Sequence, residues 1–578
     1  MRQRQHFRPA LAALSLLWAA SCENIVGDEL TASSDSIDFN GSGTGGSAAN
    51  GGAQGPANTP MAPTPEVERE PTFRAPVVTG KYVWSANPDS GRVAIIDADS
   101  YEIRAAVAGL RPTYVAAVSE QPPRALVINT GNDSATLLEL GASTEVSSTS
   151  VALHQGADSW SVSPGGRFAI AWTNSRNATR PDPTDGFQDI TVLELPSSTA
   201  PSSATPSSAT PSGAAPSSTR LTVGYRPSAF AFNAAGTRAY GITQDGISVV
   251  ELATGAVRLS QLVSLPSTTR TQPDVSVTPD GSRALARLEG SSVLYDIDLS
   301  TGALREIELG GAITDLDLSE DGSRAVAVLE RVTSSGSPDA GVPTGADAGD
   351  AAVADGGAPV AAATISSAAV FIAIPAGLSD PAARQTLTVP TESFRSVALS
   401  ADGERAVLFT TARPTPRVTL VAPDLSTRSL DLIAAVRAVF LTADGSNAIA
   451  LQDPPAGSQK KGAFSVLSLA NVRAPKLVAS DAPAVAVAMP PGNSERALVT
   501  VSDRASSAFG AFLVRTPNLQ VDFTSLSSEP LASGTVPGAQ KGFIAQVHPE
   551  GRITFIGLND GAEREITGFE LSSRVVNE

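Results

Sequence analysis

KYVWSANPDSGRVAIIDADSYEIRAAVAGLRPTYVAAVS, residues 81–119, is the stretch on which the reading of this chain turns. Tyr82 to Ala86 is a β-rich run, closed by the turn Asn87-Pro88-Asp89-Ser90-Gly91. Val93 to Ile96 is a second run, ending in Asp97-Ala98-Asp99-Ser100. Ile103 to Val107 is a third, and Tyr114 to Val118 opens the next unit. Short apolar runs bounded by Gly, Pro, Asn and Asp are strands joined by tight turns. Four of them in forty-odd residues, repeated along the chain, is the sequence form of a β-propeller blade.

The repeat recurs. A Pro/Asp/Gly turn followed by Arg-Ala or a close variant and an apolar run appears as SPGGRFAI (163–170), NAAGTRAY (233–240), TPDGSRAL (278–285), SEDGSRAV (319–326), SADGERAV (400–407) and TADGSNAI (442–449), with a looser copy PPGNSERAL (490–498). Each reads as a turn joining two antiparallel strands. Third strands end in an acid before a second turn, as at Asp97, Glu139, Glu194, Glu251 and Asp298; turn N–H satisfaction accounts for these acids. Strand sets begin near residues 79, 112, 158, 227, 271, 312, 394, 435, 482 and 530. The expected fold is therefore all-β: a β-propeller of four-stranded blades, with about 8–10 units in one large ring or in two smaller propellers. The first unit lacks an inner strand in this count, which Thr72 to Thr79 or Ser572 to Val576 would supply.

ANPDSGRVAIID, the Leu110-Arg111-Pro112 step and the PDG turn together resemble the YVTN-type (surface-layer) β-propeller repeat. The resemblance runs over about residues 79 to 578 and is most specific in Tyr82 to Ser119 and in 228 to 330. The tryptophan-aspartate pair of WD repeats is absent, as is an aspartate-box pattern.

At 17% charged, 42% hydrophobic and 5% aromatic residues, the core must be built largely of Ala, Val, Leu and Ile, which suits stacked sheets. The net charge is −17. A chain beginning at Cys22 loses Arg2, Arg4 and Arg8 and carries −20. Such a surface repels nucleic acid and anionic lipid headgroups, so neither is an expected partner.

The N-terminus has the parts of a secretory signal: a basic end at Arg2, Arg4 and Arg8, an apolar run Ala10 to Ala20 too short to span a bilayer, and small residues Ala19-Ala20-Ser21 before Cys22. This resembles the lipobox of bacterial lipoproteins, with Ala19 where that family usually has Leu. The resemblance implies a signal peptide over 1–21, acylation of Cys22, and a lipid-anchored place in the bacterial cell envelope, at the outer membrane. Cys22 is the single cysteine, so no internal disulfide can form. Residues 22–75 read as a disordered Gly/Ser/Pro-rich tether and 76–578 as the propeller, interrupted by low-complexity inserts at 196–219 and 333–362.

In a propeller, alternate loops emerge on opposite faces. The loops after first strands are short and uniform. Those after second strands are long and varied: 174–186, 412–417, 453–462 and 502–507. Varied loops carrying cations on an acidic protein make the candidate binding face, with Arg176, Arg180, Arg413, Arg417, Lys460, Lys461 and Arg504 as its candidate residues. Solvated charge on tolerated loops would give the same pattern.

Beyond residue 22 there are two histidines, His154 in a blade connection and His548 in HPEG between two strands, both in positions from which they could reach the varied face. No nucleophile elbow, HExxH or phosphate loop is present, and the aspartates of 333–362 lack a calcium-loop pattern. No catalytic residue, metal or cofactor is expected. The sequence thus reads as a non-enzymatic, monomeric scaffold binding an envelope or extracellular protein or glycan. Alternatives are a propeller-borne hydrolase or lactonase, and a quinone-dependent dehydrogenase, whose propellers are rich in tryptophan where this chain has four.

Overall fold

The structure, a computed structural model, describes residues 75–141, 145–174, 187–196, 215–253, 255–266, 273–333, 364–389, 392–548, 550–569 and 574–577. They form ten antiparallel sheets of four strands in chain order, the first carrying a fifth strand from the C-terminus. The blades span 77–107, 112–152, 159–222, 229–264, 274–308, 312–388, 396–431, 436–480, 484–525 and 530–567. Of the alternatives left open by the repeat count, the single large ring is the one formed.

Ten apolar clusters show why it closes. Each is shared by two neighbouring blades. Trp84, Ile95, Val115 and Val127 join blades 1 and 2; Leu126, Trp160 and Leu193 join blades 2 and 3; Phe168, Trp172, Phe230 and Phe232 join blades 3 and 4. The series runs on through the remaining junctions. It ends where Phe543, Ile553 and Phe555 of blade 10 meet Val83, Ala94 and Ile96 of blade 1. The middle strands are covered on both faces, so they read as continuous apolar runs: Phe168–Trp172 and Gly462–Ser468 are buried throughout. The fourth strands form the rim and alternate, as Ser217–Thr222 does.

Val77–Thr79 is the inner strand of blade 1, pairing with Tyr82–Asn87, and the Trp84 indole donates to Thr79 Oγ1 at 2.7 Å. Of the two segments expected to supply the inner strand, the N-terminal one does so and the C-terminal one does not. The C-terminal Arg574–Val575 lies parallel to the outer strand Ile103–Val107, at the opposite edge from Val77–Thr79. The first insert ends sooner and the second begins later than the sequence suggested: Ser217–Thr222 is the fourth strand of blade 3 and Thr333 ends the second strand of blade 6.

The repeated turns link neighbouring blades. Thr278, Ser319, Ser400 and Thr442 each donate a side-chain hydroxyl to the turn aspartate, at 2.6–2.8 Å. The same hydroxyl oxygens accept the backbone N–H of Arg283, Arg324, Arg405 and Asn447. Asp280, Asp321, Asp402 and Asp444 accept the N–H two residues on. Gly281, Gly322, Gly403 and Gly445 have φ of +62 to +71°, where a side chain is strained. A Cβ on Gly403 would lie 3.0 Å from Ser319 Cβ of the preceding blade, and one on Gly445 2.6 Å from Ser400 Cβ. Bonds also cross: Ala234 N–H donates to Pro279 O, Asp321 N–H to Ala401 O, and the Arg324 guanidinium to Gly403 O. Serine or threonine, aspartate and glycine recur in blades 5 to 8 because these turns support one another across the blade junctions.

Candidate functional site

Antiparallel alternation puts the loops between second and third strands, together with every blade connection, on the face opposite the turns. Cys22, Arg176 and Arg180 lie outside the described residues. Arg413, Arg417, Lys460, Lys461 and Arg504 all lie at or beside such loops, on this loop face.

Four of these five cations face carboxylates. Arg417 makes a two-pronged contact with Asp431 at 2.8 Å through Nε and Nη2, with Glu392 3.9 Å from Nη1. Lys460 pairs with Asp481 at 2.7 Å. Lys461 pairs with Asp503 of the next blade at 2.5 Å, and Arg504 with Glu529 in the next connection at 2.5 Å. The Lys461 ammonium, with the Ser506 hydroxyl, holds the Asp503 carboxyl down to about 2. Asp431 is held below the usual carboxylate range by Arg417. Arg413 is exposed with no ion-pair partner among the described residues. The acidic excess of the chain explains the pairing: a cation on this surface has carboxylates within reach, and exposed pairs of this kind add little stability.

Nearer the axis lies a network that the sequence reading did not single out. Asp274 accepts from Arg287 Nε at 2.7 Å within blade 5. Glu330 of blade 6 lies 3.1 Å from Arg395, whose backbone carbonyl accepts the Thr314 hydroxyl at 2.7 Å. Asp315, nearly buried, accepts the Val397 N–H of blade 7 at 2.8 Å through Oδ2, covering an N–H on the inner strand of the next blade. Arg437 donates to Ala484 O at 3.1 Å, from blade 8 to blade 9. One signal was available: Ala312–Leu318 reads AITDLDL, two acids in a first strand, where Ala229–Phe232 and Ala484–Ala488 read AFAF and AVAVA.

Amides at the ends of second strands fix the connections beneath. Gln452, fully buried, donates to Ala434 O at 2.6 Å; Asn129 donates to Ala108 O at 3.2 Å; Gln546 accepts Ser528 N–H at 3.0 Å. The histidines are used in the same way. His154 sits under this face, 3% exposed, with Nδ1 2.9 Å from Thr191 Oγ1. Burial pushes it down to about 4, so its ring is neutral at pH 7 and does not reach the surface. His548 Nδ1 accepts the Glu550 N–H at 3.1 Å. Exposed Leu110, Ile433, Leu531 and Val547 also lie on this face. Loop variety, mixed charge and scattered apolar side chains suit recognition of a surface, and the rigid connections hold them in place.

No family model matches the chain, and no curated protein matches it. Among solved structures it is similar to a eukaryotic initiation factor, at 13% identity over 78% of this chain and 95% of that one, with a TM-score of 0.46. It is also similar to hydrazine synthase of Kuenenia stuttgartiensis, at 13% identity over 59% and 95%, TM-score 0.32. A functionally unknown protein from Desulfotomaculum acetoxidans matches at 12% identity over 58% and 94%, TM-score 0.30. Likenesses at this level say nothing of ligand or activity.

Proposed function

We propose that this protein is a non-catalytic binding platform of a bacterial cell envelope, a YVTN-type propeller held at the outer membrane through acylated Cys22, whose loop face engages an envelope or extracellular protein or glycan. The observation that carries the reading is the difference between the two faces. Over blades 5 to 8 the turn face repeats one hydrogen-bonded formula and joins neighbours together. The loop face carries segments that differ in length, charge and proline content. A ligand can be discriminated only by the second. The use of both histidines in local hydrogen bonds supports a platform over an enzyme.

The pairing of Arg417, Lys460, Lys461 and Arg504 bears on the ligand chemistry. A surface of ion pairs and isolated apolar side chains favours a partner that brings both signs of charge over a purely anionic polymer. The test is retention on isolated envelope and extracellular material. Arg413→Glu with Lys460→Glu and Leu531→Asp on the loop face is compared with Glu404→Arg and Arg473→Glu on the turn face. The loop-face set is expected to lose binding at least tenfold with an unchanged melting temperature. Equal retention of the two sets, or a larger loss from the turn-face set, refutes the assignment of the face. The anchor is tested separately: Cys22→Ser should leave the membrane fraction or remain unprocessed, since two acyl chains anchor stably. Wild-type protein found wholly in the aqueous phase of a detergent separation refutes it.

A further inference from the structure

Nine of the ten blade junctions are crossed by the chain as it passes from one fourth strand to the next first strand. The tenth, between blades 10 and 1, is a seam: blade 1 is built from residues 77–107 and blade 10 from 530–567. Phe569 is buried in it with Phe543 and Phe555. Beyond residues 570–573 the chain reaches the outer rim of blade 1. There Arg574 and Val575 pair in parallel with Arg104 and Ala105. Val576 N–H donates to Ala105 O at 3.0 Å. The Asn577 side-chain amide brackets Val107, its Oδ1 accepting the Val107 N–H and its Nδ2 donating to Val107 O at 3.0 Å. Val576 packs on the apolar cluster of blades 1 and 2.

Two features set this strand apart. Among the described residues it is the shortest strand, with two register pairs where fourth strands have five to seven, and it makes the one parallel pair. A short strand with few bonds opens at lower free energy than the sheet it lies on. What it leaves behind is a row of unpaired backbone groups beside half-exposed Val107, a template for another strand.

We infer that the outer edge of blade 1, Ile103–Val107, is a strand-accepting site: the chain's own residues 574–577 fill it here, and the same segment of a second copy fills it when they are released. The edge selects its occupant through three features together: a parallel run, an apolar residue at the position of Val576, and a following side-chain amide that both donates and accepts. The second copy supplies all three, and exchange of an identical element needs no new complementarity.

The test uses a chain ending at Ser573, which keeps Phe569 and the seam, and a synthetic peptide of residues 572–578, SSRVVNE. Hydrogen exchange is read at the Val107 amide. Truncation is expected to speed exchange at Val107 at least tenfold, and the peptide at millimolar concentration to restore protection. A peptide with Asn577→Ala should restore little, and none of the peptides should alter the intact chain. If truncation fails to speed exchange at Val107, or the wild-type peptide fails to restore protection, the inference is wrong. Should the truncated chain not fold, full-length protein carrying Val575→Pro and Asn577→Ala takes its place, with the same two outcomes.

Discussion

Gly403 and Gly457 have almost the same backbone, φ +67° and +69°, and opposite surroundings. A Cβ on Gly457, in a loop of blade 8, meets nothing within 4 Å. A Cβ on Gly403, in the turn of blade 7, lies 2.9 Å from Arg324 Cβ and 3.0 Å from Ser319 Cβ of blade 6. Gly→Ala at either site incurs the left-handed penalty of about 1–2 kcal/mol. At Gly403 two atoms near a backbone that is itself hydrogen-bonded must also give way, because Arg324 Nη1 donates to Gly403 O at 3.0 Å. Crowding of that kind costs about 1–3 kcal/mol. Gly403→Ala should therefore destabilise the ring by about 2–5 kcal/mol and Gly457→Ala by about 1–2 kcal/mol. The difference reports the junction between turns. Urea midpoints of both variants at fixed slope measure it, and hydrogen exchange at the blade 6 and 7 turn amides localises it. Equal shifts of the midpoint would refute the reasoning: the turns would then be independent hairpin ends, and their repetition would have nothing to do with holding neighbours together.

Three further outcomes follow from particular groups. His154 is held near 4 against an ordinary 6.5, so the unfolded chain takes up its proton first as pH falls; the contribution is complete above 6.5, is lost progressively down to 4, and amounts to about 3 kcal/mol. His154→Gln should flatten the fall in stability between pH 6.5 and 4 by that amount, and identical pH slopes for the two proteins would rule this out. Shortening 198–213 or 336–361 to a few residues should change stability by no more than about 1–2 kcal/mol, because loop-closure entropy grows slowly with length; loss of soluble expression would show that the segment packs. Lys461→Ala should raise the Asp503 carboxyl from about 2 toward the ordinary aspartate value of 3.8, read by NMR titration, since the ammonium is the foremost cause of its depression; an unmoved Asp503 would mean that Ser506 and the turn N–H groups hold it alone.

The sequence exposes the fold because a propeller blade is a local object. Strand, turn and strand lie within forty residues, and the turn chemistry, as in Thr278-Pro279-Asp280-Gly281, is fixed by backbone geometry at the same place. The blade starts read from the repeats fall within three residues of those observed, and Val77–Thr79 was obscured only because it is three residues long. The site is less legible because its partners are distant in the chain. Lys461 and Asp503 are 42 residues apart, and Asp315 and Val397 are 82. A cation on a varied loop is visible in the sequence. Whether a carboxylate of the next blade already occupies it depends on how successive loops align around the ring. The burial of His154 was hidden for the same reason, since the threonine beside its Nδ1 is 37 residues away.

The chain joins the ring on the loop face. Ala75 packs against Ala532 and Ala545 of blade 10, and Val77–Thr79 then runs toward the turns. With Cys22 as the proposed anchor, about 50 residues separate membrane and ring, and a flexible chain of that length would have a root-mean-square reach on the order of 40 Å. The blades are strands of about six residues, roughly 20 Å from face to face. Reach therefore exceeds thickness, and attachment at the loop face does not force that face toward the bilayer. On that proposal the ring could present either face outward, with an engaged partner deciding between them. The anchor and the binding face are then separable. Shortening 32–65 by half brings the reach to about 30 Å, nearer the thickness of the ring. It should weaken engagement of a partner lying away from the membrane while leaving the affinity of the soluble, unanchored protein untouched. An equal loss in both forms would mean that the segment itself contributes to the binding surface.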